Sequence, residues 1–286
     1  MELDSQSANL STGALLTDER KEVSILSSDI GGYMTLTEKM DADSVASMLN
    51  EYFASMVEAL FKSKQGREEN IQSACIGNRI VAVFGSPKPL EDHAWMALQT
   101  ACQMYEHLAL LNARRENANQ PEIRIGIGIN SDSVFSSNIS ANKGMDFMAI
   151  GAAVNMSYRL EGVCKLYGCN IVISENTYKS CAERIWVREL DKIRIQGTNG
   201  PITIYEFLGL RSDAISEQKQ RVLDHYYKGR EYYLNRKFAL AIGEFATVRE
   251  IDSNDRASTI QLKRCQHWLK TPPPEDWDGS WLLTPN

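Results

Sequence analysis

Four side chains stand where their type and spacing could do chemistry: Asp29, Asn78, Asn155 and Arg159. Asp29 follows the alternating run Val23-Ser24-Ile25-Leu26-Ser27-Ser28 and precedes Gly31-Gly32, so it marks the place where a strand gives way to a turn. Asn78 forms a Gly77-Asn78 pair between two apolar runs, a tight-hairpin signal. Its amide oxygen can coordinate a hard cation but brings no charge. It also suits a turn at positive φ with no ligand at all. Asn155 and Arg159 are four residues apart in a helical stretch and share a face. Each has a plain alternative: Asp29 as a turn residue, and the Asn155/Arg159 pair as a solvated face or a packing surface.

The elements that must hold these residues follow from periodicity. A strand is expected over 23–28. A helix capped by Asp41-Ala42-Asp43 carries Val45, Met48, Leu49, Tyr52, Phe53 and Met56 at helical spacing. Two short strands, 71–75 and 80–84, flank the Gly77-Asn78 turn, and a second helix runs over 90–117. Strands at 123–129 and 134–139, a helix over 151–167, a strand at 171–173 and a short helix at 175–181 come next. Strands at 186–190, 193–195 and 202–207 finish the sheet. Long helices among hairpin strands predict an α+β sandwich with helices packed on a mostly antiparallel sheet.

Past Gly209 the composition shifts. Residues 211–218 read as a polar linker and 219–271 as helical. Gly229, Tyr232, Phe238, Ala241 and Phe245 fall where a tetratricopeptide (TPR) repeat places its small and aromatic packing residues. A single repeat needs a neighbour to bury its face. Pro272-Pro273-Pro274 stops the helix, and the tail 272–286, with Trp277 and Trp281, is expected to strap across the body. Residues 1–20 read as a flexible lead-in.

The chain has 286 residues and a formal net charge of -6, which argues against a nucleic-acid or anionic-membrane surface. No apolar run approaches the roughly 20 residues of a membrane span. The first residues lack the blocks of a signal peptide. The six cysteines show no CxxC and no ligand spacing with the four scattered histidines; most sit in apolar contexts and read as buried thiols in a reducing cytoplasm, which counts against zinc.

Four stretches together resemble the class III adenylate/guanylate cyclase homology domain over 21–210, a ferredoxin-like sandwich. They are Ser28-Asp29-Ile30-Gly31-Gly32-Tyr33, the hairpin Ala74-Cys75-Ile76-Gly77-Asn78-Arg79-Ile80-Val81-Ala82-Val83-Phe84-Gly85, the run from Met145 to Gly162, and Lys192 to Thr198 leading to Ile204-Tyr205-Glu206. Active members carry K-F-I-G-D-x-I-M-A-V-F-G at the hairpin. The helical module and Trp-containing tail resemble those of some cyanobacterial cyclases.

The resemblance implies an in-line attack of a ribose 3′-hydroxyl on its own α-phosphate, governed by positioning and charge neutralisation. Two divalent cations would be held by two carboxylates, matched by Asp29 (with the Ile30 backbone) and by Asn78, where the second charge is lost. The base-reading lysine and aspartate (or threonine) match Ala74 and Ala152, neither of which can bond a purine. Asn155 and Arg159 match the transition-state pair. Gln196 and Thr198 stand in the K-G-K stretch that meets the terminal phosphates. Asp132, Ser137 and Ser140 replace glycines of the loop that approaches the dimer partner.

Losing one preorganised charge-stabilising group costs about 10²–10³ in rate, and here several are lost together. The expectation is a degenerate, catalytically impaired or inactive homologue acting by protein–protein contact with itself or another protein, through the dimer surface or the TPR-like module. Its alternatives are a weak or partner-dependent adenylate cyclase making cAMP and diphosphate from ATP, and a nucleotide-binding sensor without turnover. No cofactor is expected, with Mg2+ or Mn2+ needed only for residual activity.

Overall fold

The computed structural model describes residues 19–38, 40–136, 151–195 and 200–283. One eight-stranded sheet organises them. Its strands are β1 (Glu19–Ile30), β2 (Ile71–Ile76), β3 (Arg79–Phe84), β4 (Ile125–Ser136), β5 (Ile171–Ser174), β6 (Ile185–Ile195), β7 (Ile202–Leu210) and β8 (Trp281–Leu283). They lie in the order β2-β3-β1-β4-β5-β7-β6-β8. Among the described strands β4–β5 and β6–β8 pair in parallel and the other neighbours are antiparallel, β2–β3 and β6–β7 as hairpins.

Alternation along β1 assigns its side chains to two faces. Leu26 and Ile30 join the core built with α2 (Ala42–Lys64) and α3 (His93–Asn117), where Met48, Tyr52, Met56, Ala97, Ala101 and Met104 are buried. Val23 and Ile25 face the other way, against Ala153 and Val154 of α4 (Gly151–Tyr167). Ser27 and Asp29 follow them on that face by strand period. Two shorter helices complete this part, α1 (Tyr33–Thr37) and α5 (Glu175–Cys181).

The height of α4 above the sheet is set by glycines of β4. A Cβ on Gly128 would stand 2.2 Å from the Ser157 carbonyl oxygen and 2.3 Å from the Glu161 nitrogen. One on Gly126 would stand 3.0 Å from Cys164 Cβ. Only glycine permits so close a backbone approach.

Helices α6 (Glu217–Leu234), α7 (Phe238–Ile251) and α8 (Arg256–Lys270) do not form a separate core. Val222, Tyr226, Phe245 and Val248 share one with Leu160, Val163 and Tyr167 of α4 and with Val172, Leu190, Ile193 and Ile204 of the sheet. Gly229 lets α6 and α7 close up, since a Cβ there would meet the Phe245 ring at 2.8 Å. The tail adds β8 beside β6. Trp277 stacks edge-on to Tyr233 and Trp268, and Trp281 to Trp268.

Three expectations change. The strands expected at 123–129 and 134–139 are one strand as far as Ser136, β4, paired with β1 along its whole length; 137–139 lie outside the described residues. Asn130 and Ser131, in the gap between those two expected strands, are both buried and bonded. Asn130 donates to the Ala153 carbonyl at 3.3 Å, and the Ser131 hydroxyl meets Ser24 at 2.6 Å and Thr177 at 2.8 Å. Likewise 186–190 and 193–195 are one strand, β6, bent by irregularities at Trp186/Val187 and Glu189/Asp191. The lead-in expected over 1–20 overlaps β1, which already begins at Glu19 and pairs with β4 there. Most thiols are buried as expected: Cys164, Cys169, Cys181 and Cys265 are, Cys102 is half-buried and Cys75 exposed, and all six are free.

Candidate active site

Asp29 is the acceptor around which the hairpin closes. The two-residue turn after β2 returns the chain as β3, and β3 pairs with β1 in a register that sets Arg79 directly opposite Asp29. Opposite charges at such a cross-strand position attract. Asp29 Oδ2 accepts from Arg79 Nη2 at 3.3 Å; Oδ1 accepts from the Ile30 backbone N–H at 2.8 Å and from Asn78 Nδ2 at 2.5 Å. The same Arg79 Nη2 donates to Glu161 Oε2 of α4 at 3.0 Å, and its guanidinium lies 4.3 Å from the centre of the Tyr158 ring. One cation on β3 therefore ties a carboxylate of β1 to a carboxylate and an aromatic face of α4.

Burial pushes the Glu161 carboxyl up to about 7, with the neighbouring Asp29 charge adding to the effect and Arg79 opposing it. The geometry by itself favours an ionised Glu161 against Arg79. The two influences meet near neutral pH, so both forms of Glu161 are populated there.

The structure brings together Asp29, the Ile30 backbone and Asn78, and turns the last to an unexpected use. Asn78 directs its amide N–H, not its oxygen, at Asp29. Nor is Asn78 the positive-φ residue of the turn: that is Gly77, at φ +63. Ala74 sits half-buried on the edge strand β2. Helix α4 presents two faces. Tyr158 and Glu161 point at Arg79, whereas Ala152, Asn155 and Arg159 are exposed. Asp132 is exposed on β4; Gln196, Thr198, Ser137, Ser140 and the stretch Met145–Ile150 lie outside the described residues.

These donors do not fit a divalent cation. Both Asp29 oxygens already accept protein donors, the partner amide offers hydrogens, and a guanidinium occupies the neighbourhood. No cluster of three or more His, Cys, Asp or Glu side chains among the described residues could hold a metal ion.

Beside Asp29 opens a cleft of about 1120 Å³. It is lined by the Gly31–Thr35 turn, by Tyr105 and Asn112 of α3, by Arg124, and by Glu161 and Lys165 of α4. Arg256, the first residue of α8, closes one side and donates to the Lys165 carbonyl at 3.1 Å. Sequence reasoning passed over Arg79, Glu161 and Arg256. Arg79 fills the variable position of the hairpin pattern; Glu161 carried a faint signal, as a charge inside the apolar run Leu160 to Cys164. Nothing local marks Arg256.

A family profile described as the adenylate and guanylate cyclase catalytic domain matches residues 16–209. An adenylate cyclase of Anabaena cylindrica is 32% identical over 205 residues, 69% of this chain and 38% of that protein. The terminal-differentiation specific adenylate cyclase of Dictyostelium discoideum is 26% identical over 254 residues, 88% of this chain. The chain spans only 12% of that relative's length. Among solved structures, the guanylyl cyclase Cya2 aligns with TM-score 0.58 and 25% identity, over 68% of this chain and 95% of its own. The adenylyl cyclase CyaB from P. aeruginosa aligns with TM-score 0.57 and 24% identity, over 69% and 98%. No helix among the described residues is long and apolar enough to cross a membrane.

Proposed function

The chain belongs to the adenylate and guanylate cyclase catalytic domain family, and we propose that within it this member is catalytically impaired and works through protein contacts. The observation that carries the reading is the engagement of Asp29: its carboxylate binds Arg79 and the Asn78 amide. Ala74 and Ala152 add to it, since a methyl group cannot read a purine edge. The contact surfaces in this proposal are the family's dimer face and the TPR-like helices of 219–271, and the partner is a second copy or another protein. Purified chain at high concentration, incubated with ATP or GTP and Mn2+, is expected to form no cyclic nucleotide above a protein-free blank. Product that vanishes with Asp29→Ala overturns the proposal.

A second reading is favoured by the exposed face of α4 and by the relatives named adenylate cyclases. In it the chain lends Asn155 and Arg159 to an intact partner, and ATP is converted to cAMP and diphosphate at the site they share. Mg2+ or Mn2+ would then be held by the partner's carboxylates. Mixing the chain with an intact cyclase domain stripped of its own equivalent Asn and Arg distinguishes the two. Activity that depends on Arg159 favours the second reading; silence of the mixture favours the first.

A further inference from the structure

We infer that Arg79 is the resident cation of the Asp29 site, a charge attached to the chain that stands in for a divalent ion and excludes it. Three observations converge. The β1–β3 register places Arg79 directly across from Asp29, so its position is enforced by backbone pairing and not by a chance rotamer. Its Nη2 bridges Asp29 Oδ2 at 3.3 Å and Glu161 Oε2 at 3.0 Å, which neutralises part of a carboxylate pair that would otherwise repel. Its guanidinium rests 4.3 Å from the Tyr158 ring centre, a geometry that holds a planar cation.

Asn78 fits the same arrangement. An aspartate there would bring a third carboxylate to the site; the amide instead donates to Asp29 at 2.5 Å. The site thus carries one negative charge fewer at Asn78 than the family pattern, and a positive charge at the variable position, Arg79. A hard dication prefers several anionic or neutral oxygens. It would have to displace Arg79 and then sit beside that displaced charge.

The consequence is a junction of hairpin, central strand and α4 that no chelator can empty. The inference deepens the proposed loss of activity and rests on the same site, but its readout needs no turnover. Cyclic nucleotide would overturn the proposed function, and Mn2+ bound at Asp29 would overturn the resident cation.

The test uses the full chain and Mn2+ alone, followed by the electron paramagnetic resonance of free Mn2+ and by thermal melting. The native protein is expected to bind no Mn2+ from micromolar to millimolar concentrations and to melt at one temperature in chelator or in Mn2+. The double variant Asn78→Asp/Arg79→Ala should bind Mn2+ within that concentration range, where the native chain does not. It should melt lower in chelator and recover with Mn2+, because an ion that binds only the folded state stabilises it. Arg79→Lys, which keeps the charge, should remain blind to Mn2+. Mn2+ bound by the native chain and lost with Asp29→Asn overturns the inference. So does a folded double variant with no more response than the native chain. Should the double variant not fold, the native chain, Asp29→Asn and Arg79→Lys still decide it: Mn2+ binding by Arg79→Lys counts against a charge that excludes the ion.

Discussion

Two ionic clusters sit on the α4 side of this sheet, and they obey different physics. At the hairpin, one guanidinium serves two carboxylates, and the side chains keep 28% (Arg79), 21% (Asp29) and 13% (Glu161) of their exposure. Under the C-terminal helices the ions are dry. Asp191 of β6 is fully buried and accepts from the Tyr167 hydroxyl at 2.5 Å, from Arg230 at 3.4 Å, from Arg264 and from the Lys192 backbone N–H at 2.9 Å. Arg188 beside it pairs with Glu206 at 2.7 Å and Asp255 at 2.6 Å and lies 4.6 Å from the Tyr226 ring centre. The dry cluster fastens α4, α6 and α8 to β6. The hairpin cluster borders an open cleft, where water and ligands can compete for its partners. Burial makes the first obligatory and leaves the second exchangeable.

Breaking the dry cluster should have the largest effect. Asp191→Ala leaves Arg230 and Arg264 buried without their shared carboxylate, and removal of one partner of a buried ion pair costs about 3–5 kcal/mol. Urea denaturation should show this loss; a cost below that of a surface pair would refute the distinction drawn between the clusters.

Next in size is Gly128→Ala, which lifts α4 and with it Glu161 away from Arg79. Overpacking costs about 1–3 kcal/mol, and a clash with backbone at 2.2 Å belongs at the upper end of that range. The loss should appear both in the denaturation midpoint and in the near-ultraviolet circular dichroism of the Tyr158 environment.

The clusters should also differ in the sign of their pH dependence. Glu161 has a native value raised to about 7 from 4.5, so the folded state holds its proton where the unfolded chain releases it. Its contribution is most favourable below about 4.5, and stability declines as pH rises to about 7, by about 1–2 kcal/mol after its partial solvent contact is discounted. Asp255 behaves oppositely. Burial disfavours its charge, but Arg188 and the Ser258 hydrogen bonds outweigh that and hold it below the usual carboxylate value. Its contribution is present near neutral pH and is lost as pH falls below the ordinary carboxylate range. Glu161→Gln should flatten the slope of the urea midpoint between pH 5 and pH 7 and leave the acid limb intact; an unchanged slope would sink the assignment.

The smallest change is expected at the tail. Asp278 is held down to about 2 by the Ser280 hydroxyl, helped by Lys192 and Arg194, yet it lies at the surface. Asp278→Asn should cost under about 1 kcal/mol. It should loosen β8 as seen by hydrogen exchange at Trp281–Leu283 without moving the global midpoint.

Much of this architecture was legible because its signals are local. The alternation of Val23 to Ser28, the Gly77-Asn78 turn and the helical spacing around Tyr52 each lie within a dozen residues, and each element formed where it was expected, although β1 runs beyond 23–28 to Glu19 and Ile30. Legibility failed where polar residues find distant partners. The stretch between 129 and 134 was left out of the strands because a short window cannot show the Ala153 carbonyl that accepts from Asn130, or the Ser24 and Thr177 hydroxyls that pair with Ser131. The candidate site divides in the same way. Asp29 and Asn78 were visible as residues at turns, while the use of Asn78 as a donor depended on which group it would face.

By itself the sequence determined the family, the hairpin and the shared face of Asn155 and Arg159. All of these are matters of residue type and short spacing. Only the tertiary structure decided that Arg79 answers Asp29 across fifty residues, that Glu161 joins them because Gly126 and Gly128 let α4 settle on the sheet, and that Asp191 collects arginines from α6 and α8. The physical reason is register. A charge has meaning only against the charge opposite it, and strand pairing and helix height, unlike periodicity, belong to the folded chain as a whole.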